Sequence, residues 1–285
     1  MHEGLAWLEG SHEGREWLAR LPSTIVECAD AWSLTVGEPF AYAFTSLAMP
    51  VERADGSDAV LKVSFPGREN EHEAAALALI DGDGAVRLLE YDERRRALLL
   101  ERAEPGTPLK ELGLDRALDV FVDLLPRLWK PAGAPFRPLA EEAAWWADTI
   151  VQDFARSEHP FERALLDAAL DAIETLSSSQ GEQVLVNQDM HADNVVRAER
   201  EPWLMIDPKP LAGEREFGIA ATVRGWELGH SRDALVHRLD RLTGDLHLDR
   251  ERARGWAIAQ TIAWAFDSDE VEPGHVEVAR WLWEA

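Results

Sequence analysis

The chain has 285 residues and a net charge of −24, from 53 acidic and 29 basic side chains. That field opposes non-specific nucleic-acid binding and favours cationic small molecules. No run approaches the roughly 18 consecutive apolar residues of a membrane span. The single cysteine, Cys28, provides neither a disulfide framework nor a cysteine zinc site, and it reads as a small buried hydrophobe. The acidic amino terminus has no basic region leading into an apolar run. No secretory signal is therefore expected, and the cytoplasm is the expected compartment.

Residues 2–21 read as a helix with a stripe of Leu5, Leu8, Trp17, Leu18 and Leu21, interrupted near Gly10–Ser11 and stopped by Pro22. Residues 24–36 predict a strand. Gly37 to Phe40 forms a turn, and Ala41–Met49 predicts a second strand. After a turn at Asp55-Gly56, Ala59–Val63 predicts a third. On strand alternation Lys62 faces away from Leu61 and Val63. A helix follows over 71–80, then strands over Val86–Glu90 and Ala97–Glu101.

From residue 111 the period becomes helical, with Leu118, Phe121, Val122, Leu125, Leu128 and Trp129 at spacings of three and four. Residues 131–138 form a turn-rich connector. Ala140–Phe154 and Phe161–Leu176 predict two further helices, with Trp145 and Trp146 assigned to core packing. Beyond residue 217 the chain reads as helical core, with Trp226 and Trp264 among its apolar residues. An acidic loop is expected over Asp267–Glu272, and a closing helix over His275–Glu284.

The stretch from Gln183 to Asp207, QVLVNQDMHADNVVRAEREPWLMID, carries the chemistry. Val184–Val186, Val195–Val196 and Trp203–Ile206 read as short buried strands. They deliver Asp189, Asn194 and Asp207 to loop ends, where a rigid scaffold holds polar groups. Asp-x-x-x-x-Asn followed by a later Asp resembles the catalytic core of kinase-like phosphotransferases. VNQDMHADNV with EPWLMIDPKPLAGEREFGIA resembles more closely the streptomycin 6-kinase and hydroxyurea phosphotransferase branch of the aminoglycoside phosphotransferases. The resemblance continues through RARGWAIAQTIAWAFD and GHVEVARWLW. It departs before the catalytic Asp, where many relatives carry His-Gly and this chain has Asn187-Gln188.

The resemblance implies an α+β, protein-kinase-like fold of two lobes. Residues 1–102 would form an antiparallel nucleotide-binding lobe, and residues 103–285 a mainly helical catalytic and acceptor-binding lobe. It implies ATP and Mg²⁺. Asp189 would accept the proton of the acceptor hydroxyl, and Asn194 and Asp207 would hold the metal. Lys62 would meet the α- and β-phosphates, with Glu73 as its partner and Glu69 and Glu71 as competitors. Adenine would meet backbone groups near Glu101, Arg102 and Ala103, and Lys209 would contact phosphate. Gly37 is a candidate nucleotide contact, although a plain hairpin turn is the simpler reading, and both G-x-G-x-x-G and Walker A motifs are absent. His191 reads as a brace for its loop, and Asp193 as a loop-capping or surface carboxylate.

The expected acceptor is a cationic or polyhydroxylated small molecule, above all a streptomycin-like aminoglycoside. An amino sugar or another small metabolite is the first alternative. A non-catalytic nucleotide-binding protein is the second, motivated by Asn187-Gln188 and the glycine-poor hairpin. A zinc hydrolase using Asp189, His191 and Asp193 is a third, opposed by the absence of H-E-x-x-H. Neither a nucleic-acid nor a membrane partner is expected.

Overall fold

The computed structural model describes residues 3–41, 44–267 and 270–285. A 3-10 segment, Glu3–Gly10, leads into α1 (His12–Trp32). Ser11 caps α1 by accepting the Gly14 amide at 2.9 Å. Gly14 itself is forced, because a Cβ there would lie 2.0 Å from the Leu8 carbonyl oxygen.

Helix α1 overturns two expectations. Pro22 lies inside it, and the strand predicted over 24–36 shrinks to β1 (Leu34–Val36). An interior proline costs about 3 kcal/mol. Burial offsets that cost: Trp17, Leu21 and Cys28 are buried, with Leu18, Ile25 and Trp32 packed beside them. The Ser23 and Thr24 hydroxyls donate to the Arg20 carbonyl at 2.7 and 3.1 Å, satisfying an acceptor close to the proline. Cys28 is a buried hydrophobe as expected, and burial pushes its thiol up to about 11.

Strands β2 (Ser46–Arg53), β3 (Asp58–Ser64), β4 (Leu88–Asp92) and β5 (Ala97–Glu101) join β1 in an antiparallel sheet of order β1-β2-β3-β5-β4. The strand predicted over 41–49 begins later and runs on through Pro50. Residues 42–43 of that expectation lie outside the described residues. Gly37 is bound into the sheet edge, its amide donating to the Pro50 carbonyl at 2.9 Å. That is the hairpin reading rather than a free phosphate-binding loop.

The two sheet faces bury different cores. Leu61, Val63, Ala97 and Leu99 pack under α1. Leu98 and Leu100 face the other way, toward α2 (Glu73–Ile80) and the larger core. Lys62 is paired in register with Ala48 and Leu98. It therefore emerges on the α2 face.

The rest is mainly helical: α3 (Leu114–Leu128), α4 (Leu139–Arg156), α5 (Arg163–Ser177), α6 (Ala220–Arg224), α7 (Arg232–Asp245), α8 (Arg250–Ala263) and α9 (Pro273–Trp283). Phe217 packs between Trp146 and Trp256, with ring centroids 5.9 and 5.7 Å away. Two small ladders cross this body. Strand β6 (Val184–Asn187) pairs with β9 (Pro210–Gly213), and β7 (Val195–Arg197) with β8 (Trp203–Met205). Strand β9 was not expected, because Pro-Leu-Ala-Gly carries no alternating pattern. The acidic loop over 267–272 is partly a hairpin of β10 (Phe266–Asp267) and β11 (Glu270–Val271). Among the described residues no helix is long and apolar enough to cross a membrane.

The seam between sheet and helical body is hydrogen-bonded. The Met205 amide donates to the Gly84 carbonyl at 2.9 Å, and the Val86 amide to the Met205 carbonyl at 3.0 Å. Gly84 has φ +90, a left-handed conformation that glycine adopts without strain.

Candidate active site

Lys62 is the first anchor. Its ammonium lies 2.6 Å from Glu73 Oε1 and 2.6 Å from Asp207 Oδ1. The acidic run before α2 is thereby sorted. Glu73, at the first turn of α2, takes Lys62. Glu71 takes Arg137 at 2.7 Å, and Glu69 lies 3.4 Å from Lys209. Burial alone would lower the Lys62 pKa, but Asp207 and Glu73 outweigh it and hold the ammonium charged. Burial raises the Glu73 carboxyl, with Lys62 pulling against it. Burial also works to raise Asp207, yet Lys62 and Lys209 hold it below the ordinary carboxylate range.

Asp207 follows β8 directly and has φ +51. A left-handed non-glycine residue costs about 1–2 kcal/mol. Its carboxylate partner Lys62 and the rigid Pro208-Lys209-Pro210 exit hold it there.

Asp189 is the second anchor. Lys209 Nζ lies 2.8 Å from its Oδ2, His191 Nε2 3.5 Å from its Oδ1, and Arg224 Nη2 3.9 Å from that same oxygen. Burial would raise its pKa. His191 and Lys209 reverse this and hold the carboxyl well below the usual range, so it is ionised. His191 braces the loop as expected: its Nδ1 accepts the Asp193 amide at 3.3 Å and its Nε2 lies 3.1 Å from Asn194 Nδ2. Asp193 turns outward to Lys110 at 2.7 Å, in keeping with its reading as a surface carboxylate.

Asn187, the first residue of the Asn187-Gln188 pair, ties the site together through its amide. Its Oδ1 accepts the Asp189 amide at 3.0 Å and the Lys209 amide at 2.9 Å. The loop is further fixed by Gln260 donating to the Gln188 carbonyl at 2.8 Å, Thr222 to the Met190 carbonyl at 2.6 Å, and the Ala192 amide to Glu227 at 2.8 Å.

Asn194 Nδ2 donates to the Asp189 carbonyl at 3.0 Å, an orientation in which its amide oxygen could serve a cation. An amide oxygen and the Asp207 carboxylate form an all-oxygen donor set that suits a hard cation such as Mg²⁺.

The Glu101 side chain is committed elsewhere. Arg200 bridges it with contacts of 2.7 and 2.9 Å, and its Oε2 accepts the Arg87 amide at 2.9 Å. Only backbone groups around 101–103 remain for a ligand. Ala103 is half-buried against the larger core. The exit beyond it is pinned to β7, the Gly106 amide donating to the Arg197 carbonyl at 3.0 Å.

Three aromatic assignments change. Trp145 is 46% exposed with the Arg68 guanidinium 4.9 Å over its ring, and Trp226 is 49% exposed; only Trp146 of these is core. Trp264 is half-buried, with Arg224 at 4.1 Å and Lys209 at 5.6 Å from its ring centroid. These polar partners, brought together by tertiary packing, override the apolar reading. Arg224, at the end of α6, escaped the sequence reading. Its only local signal is a lone cation in a run of small and apolar residues. Burial lowers it to about 10.

Residues 31–271 match the family described as "Aminoglycoside/hydroxyurea antibiotic resistance kinase". The chain belongs to this kinase family. It is 36% identical to a streptomycin 6-kinase of Streptomyces griseus, over 96% of this chain and 92% of the relative. It is 39% identical to a hydroxyurea phosphotransferase of Kitasatospora aureofaciens, over 95% of this chain and 80% of the relative. Among solved structures, a choline kinase from Streptococcus pneumoniae superposes with a TM-score of 0.67 at 13% identity, covering 93% of this chain and 100% of that one. An aminoglycoside phosphotransferase crystallised with ADP and hygromycin B gives 0.57 at 15% identity, over 90% and 93%. The kinase-like fold with its antiparallel sheet is thus the one the sequence implied, and the protein is a small-molecule kinase.

Proposed function

We propose that this kinase transfers the γ-phosphate of ATP to a hydroxyl of an aminoglycoside of the streptomycin type or a related small molecule. One observation carries the reading. Two linked charge clusters, Glu73–Lys62–Asp207 and Lys209–Asp189–Asn194, lie side by side where β3, α2 and the β6–β9 loops converge. In this reading residues 1–102 bind the nucleotide, and residues 103–285 supply the base and the acceptor cleft.

Each side chain then has a task. Lys62, steadied by Glu73, reaches the α- and β-phosphates. Backbone groups at 101–103 take adenine. Mg²⁺ held by Asn194 and Asp207 would neutralise charge on the phosphates. Asp189 accepts the hydroxyl proton while the acceptor oxygen bonds to the γ-phosphorus and the bond to the β–γ bridging oxygen breaks, releasing ADP. Because Asp189 is a weak base, its first service is to orient the hydroxyl; the proton follows as the bond to phosphorus forms. Lys209, within reach of Asp189 and Glu69, is placed to meet the transferring phosphoryl. Acidic side chains at Glu69 and Glu227 suit the cationic groups of an aminoglycoside.

The test is an ATP-consumption screen over aminoglycosides, amino sugars, nucleosides and hydroxyurea, with mass spectrometry of the acceptor. Phosphorylation of a streptomycin-like compound is the expected outcome. Transfer only to an amino sugar or another metabolite would replace the acceptor, and ATP binding without any transfer would replace the reading.

A further inference from the structure

Arg224 is 8% exposed, and its Nη1 is buried with no hydrogen-bond partner among the described residues. An unpaired buried guanidinium nitrogen is costly, and such groups are retained where a ligand completes them. The head group is fixed on its other sides. Its face lies 4.1 Å over Trp264, and its Nη2 is 3.9 Å from Asp189 Oδ1. Arg238, buried beneath it, holds the end of α6 by donating to the Val223 carbonyl at 2.8 Å.

The position separates Arg224 from the nucleotide machinery. Lys209 contacts Asp189 Oδ2 and feels the charges of Asp189, Glu69 and Asp207. Arg224 contacts the opposite oxygen, Oδ1, and feels Asp189, Glu69 and Glu227. It thus reaches the base at a different oxygen from the one that Lys209 and Asn194 contact. A cation there repels an ammonium group and attracts an oxygen.

We infer that Arg224 is an acceptor-binding residue whose Nη1 takes the oxygen next to the reacting hydroxyl, so that the acceptor presents a hydroxyl flanked by a second hydroxyl or a carbonyl. The inference rests on the phosphotransferase reading above. It gives two unlike acceptors one shared feature. A vicinal diol on an aminocyclitol and the N-hydroxyl of hydroxyurea each place an acceptor oxygen three bonds from the nucleophile. Because Nη1 is buried, the acceptor oxygen reaches it only if the guanidinium shifts over the Trp264 ring as the acceptor binds.

The test compares acceptors with and without that oxygen. The hydroxyl phosphorylated by the wild type is located by mass spectrometry and NMR. Kinetics are then measured with streptomycin and its analogue deoxygenated at the neighbouring carbon, and with hydroxyurea and N-methylhydroxylamine. In the wild type, removing the oxygen should lower kcat/KM by about 10- to 100-fold, the range of a hydrogen bond to a charged donor. In Arg224→Met and Arg224→Gln the two members of each pair should differ by less than about threefold, with Mg·ATP affinity by calorimetry unchanged. A wild type that treats the members alike overturns the inference without any variant. Variants that keep the wild-type discrimination also overturn it, and would leave Nη1 to a structural water. Variants that lose ATP affinity, with both acceptors affected equally, overturn it in favour of a phosphoryl contact. A wild type that phosphorylates nothing in the broad screen removes the functional reading and this inference together.

Discussion

Lys62 and Asp207 are 145 residues apart in the chain and meet at 2.6 Å. A strand of the antiparallel sheet and a loop of the helical body thus share one ion pair, with Glu73 on its far side. Asp207→Ala should weaken Mg·ATP binding by at least about 10-fold, because it removes the proposed metal ligand and a partner of Lys62 together. Calorimetry with and without Mg²⁺ checks this. Unchanged affinity and metal dependence in a folded variant would remove Asp207 from the metal site.

Asp189→Asn should leave the fold and most of the nucleotide affinity intact while lowering kcat by about 10²- to 10⁴-fold. The amide keeps the size and loses the proton-accepting oxygen. Rapid-quench measurement of phosphoryl transfer separates this from slow product release. A near wild-type rate would show that Asp189 is no essential base.

Asn187→Leu should destabilise the protein by about 2 kcal/mol, since the amides of Asp189 and Lys209 both lose their acceptor. Asn187→Asp keeps the acceptor oxygens and should recover most of that stability. Denaturant melts of the two variants give the comparison. Equal stability of Asn187→Leu and wild type would show that the clamp contributes nothing.

His275 provides a pH test. Burial first, then the nearby Arg224 charge, lowers its pKa from the ordinary 6.5 to about 4. Between those two values the unfolded chain binds the extra proton and the folded one does not. The stability it contributes is therefore complete above pH 6.5 and is lost as pH falls toward 4. Relative to wild type, His275→Phe should gain melting temperature as pH is lowered from 7 to 5, by a few degrees. A difference that does not change with pH would place the titration elsewhere.

Lys62 was legible because alternation along Ala59–Val63 put it opposite Leu61 and Val63, and the two sheet faces do bury separate cores. Asp189, Asn194 and Asp207 were legible because short apolar strands bracket them. Pro22 misled because a local breaker is overruled by burial of Trp17, Leu21 and Cys28 on a single helical face, which only the sheet beneath reveals. Strand β9 was hidden because its partner β6 supplies the ladder and its own residues carry no pattern. Arg224 was hidden because its meaning comes from Trp264 and Asp189, brought to it by α8 and the base loop.

The seam at Gly84, Val86 and Met205 has a mechanical consequence. Strand β8 is stitched to the loop ahead of β4 at 2.9 and 3.0 Å, and Asp207 lies two residues past that stitch. Rocking of the sheet against the helical body about this hydrogen-bonded line would keep both bonds. Points close to an axle travel least. In a rocking motion about this line Asp207, two residues from the Met205 bonds, would be displaced little. If the proposed nucleotide cleft opens about this line, Asp207 would keep its place.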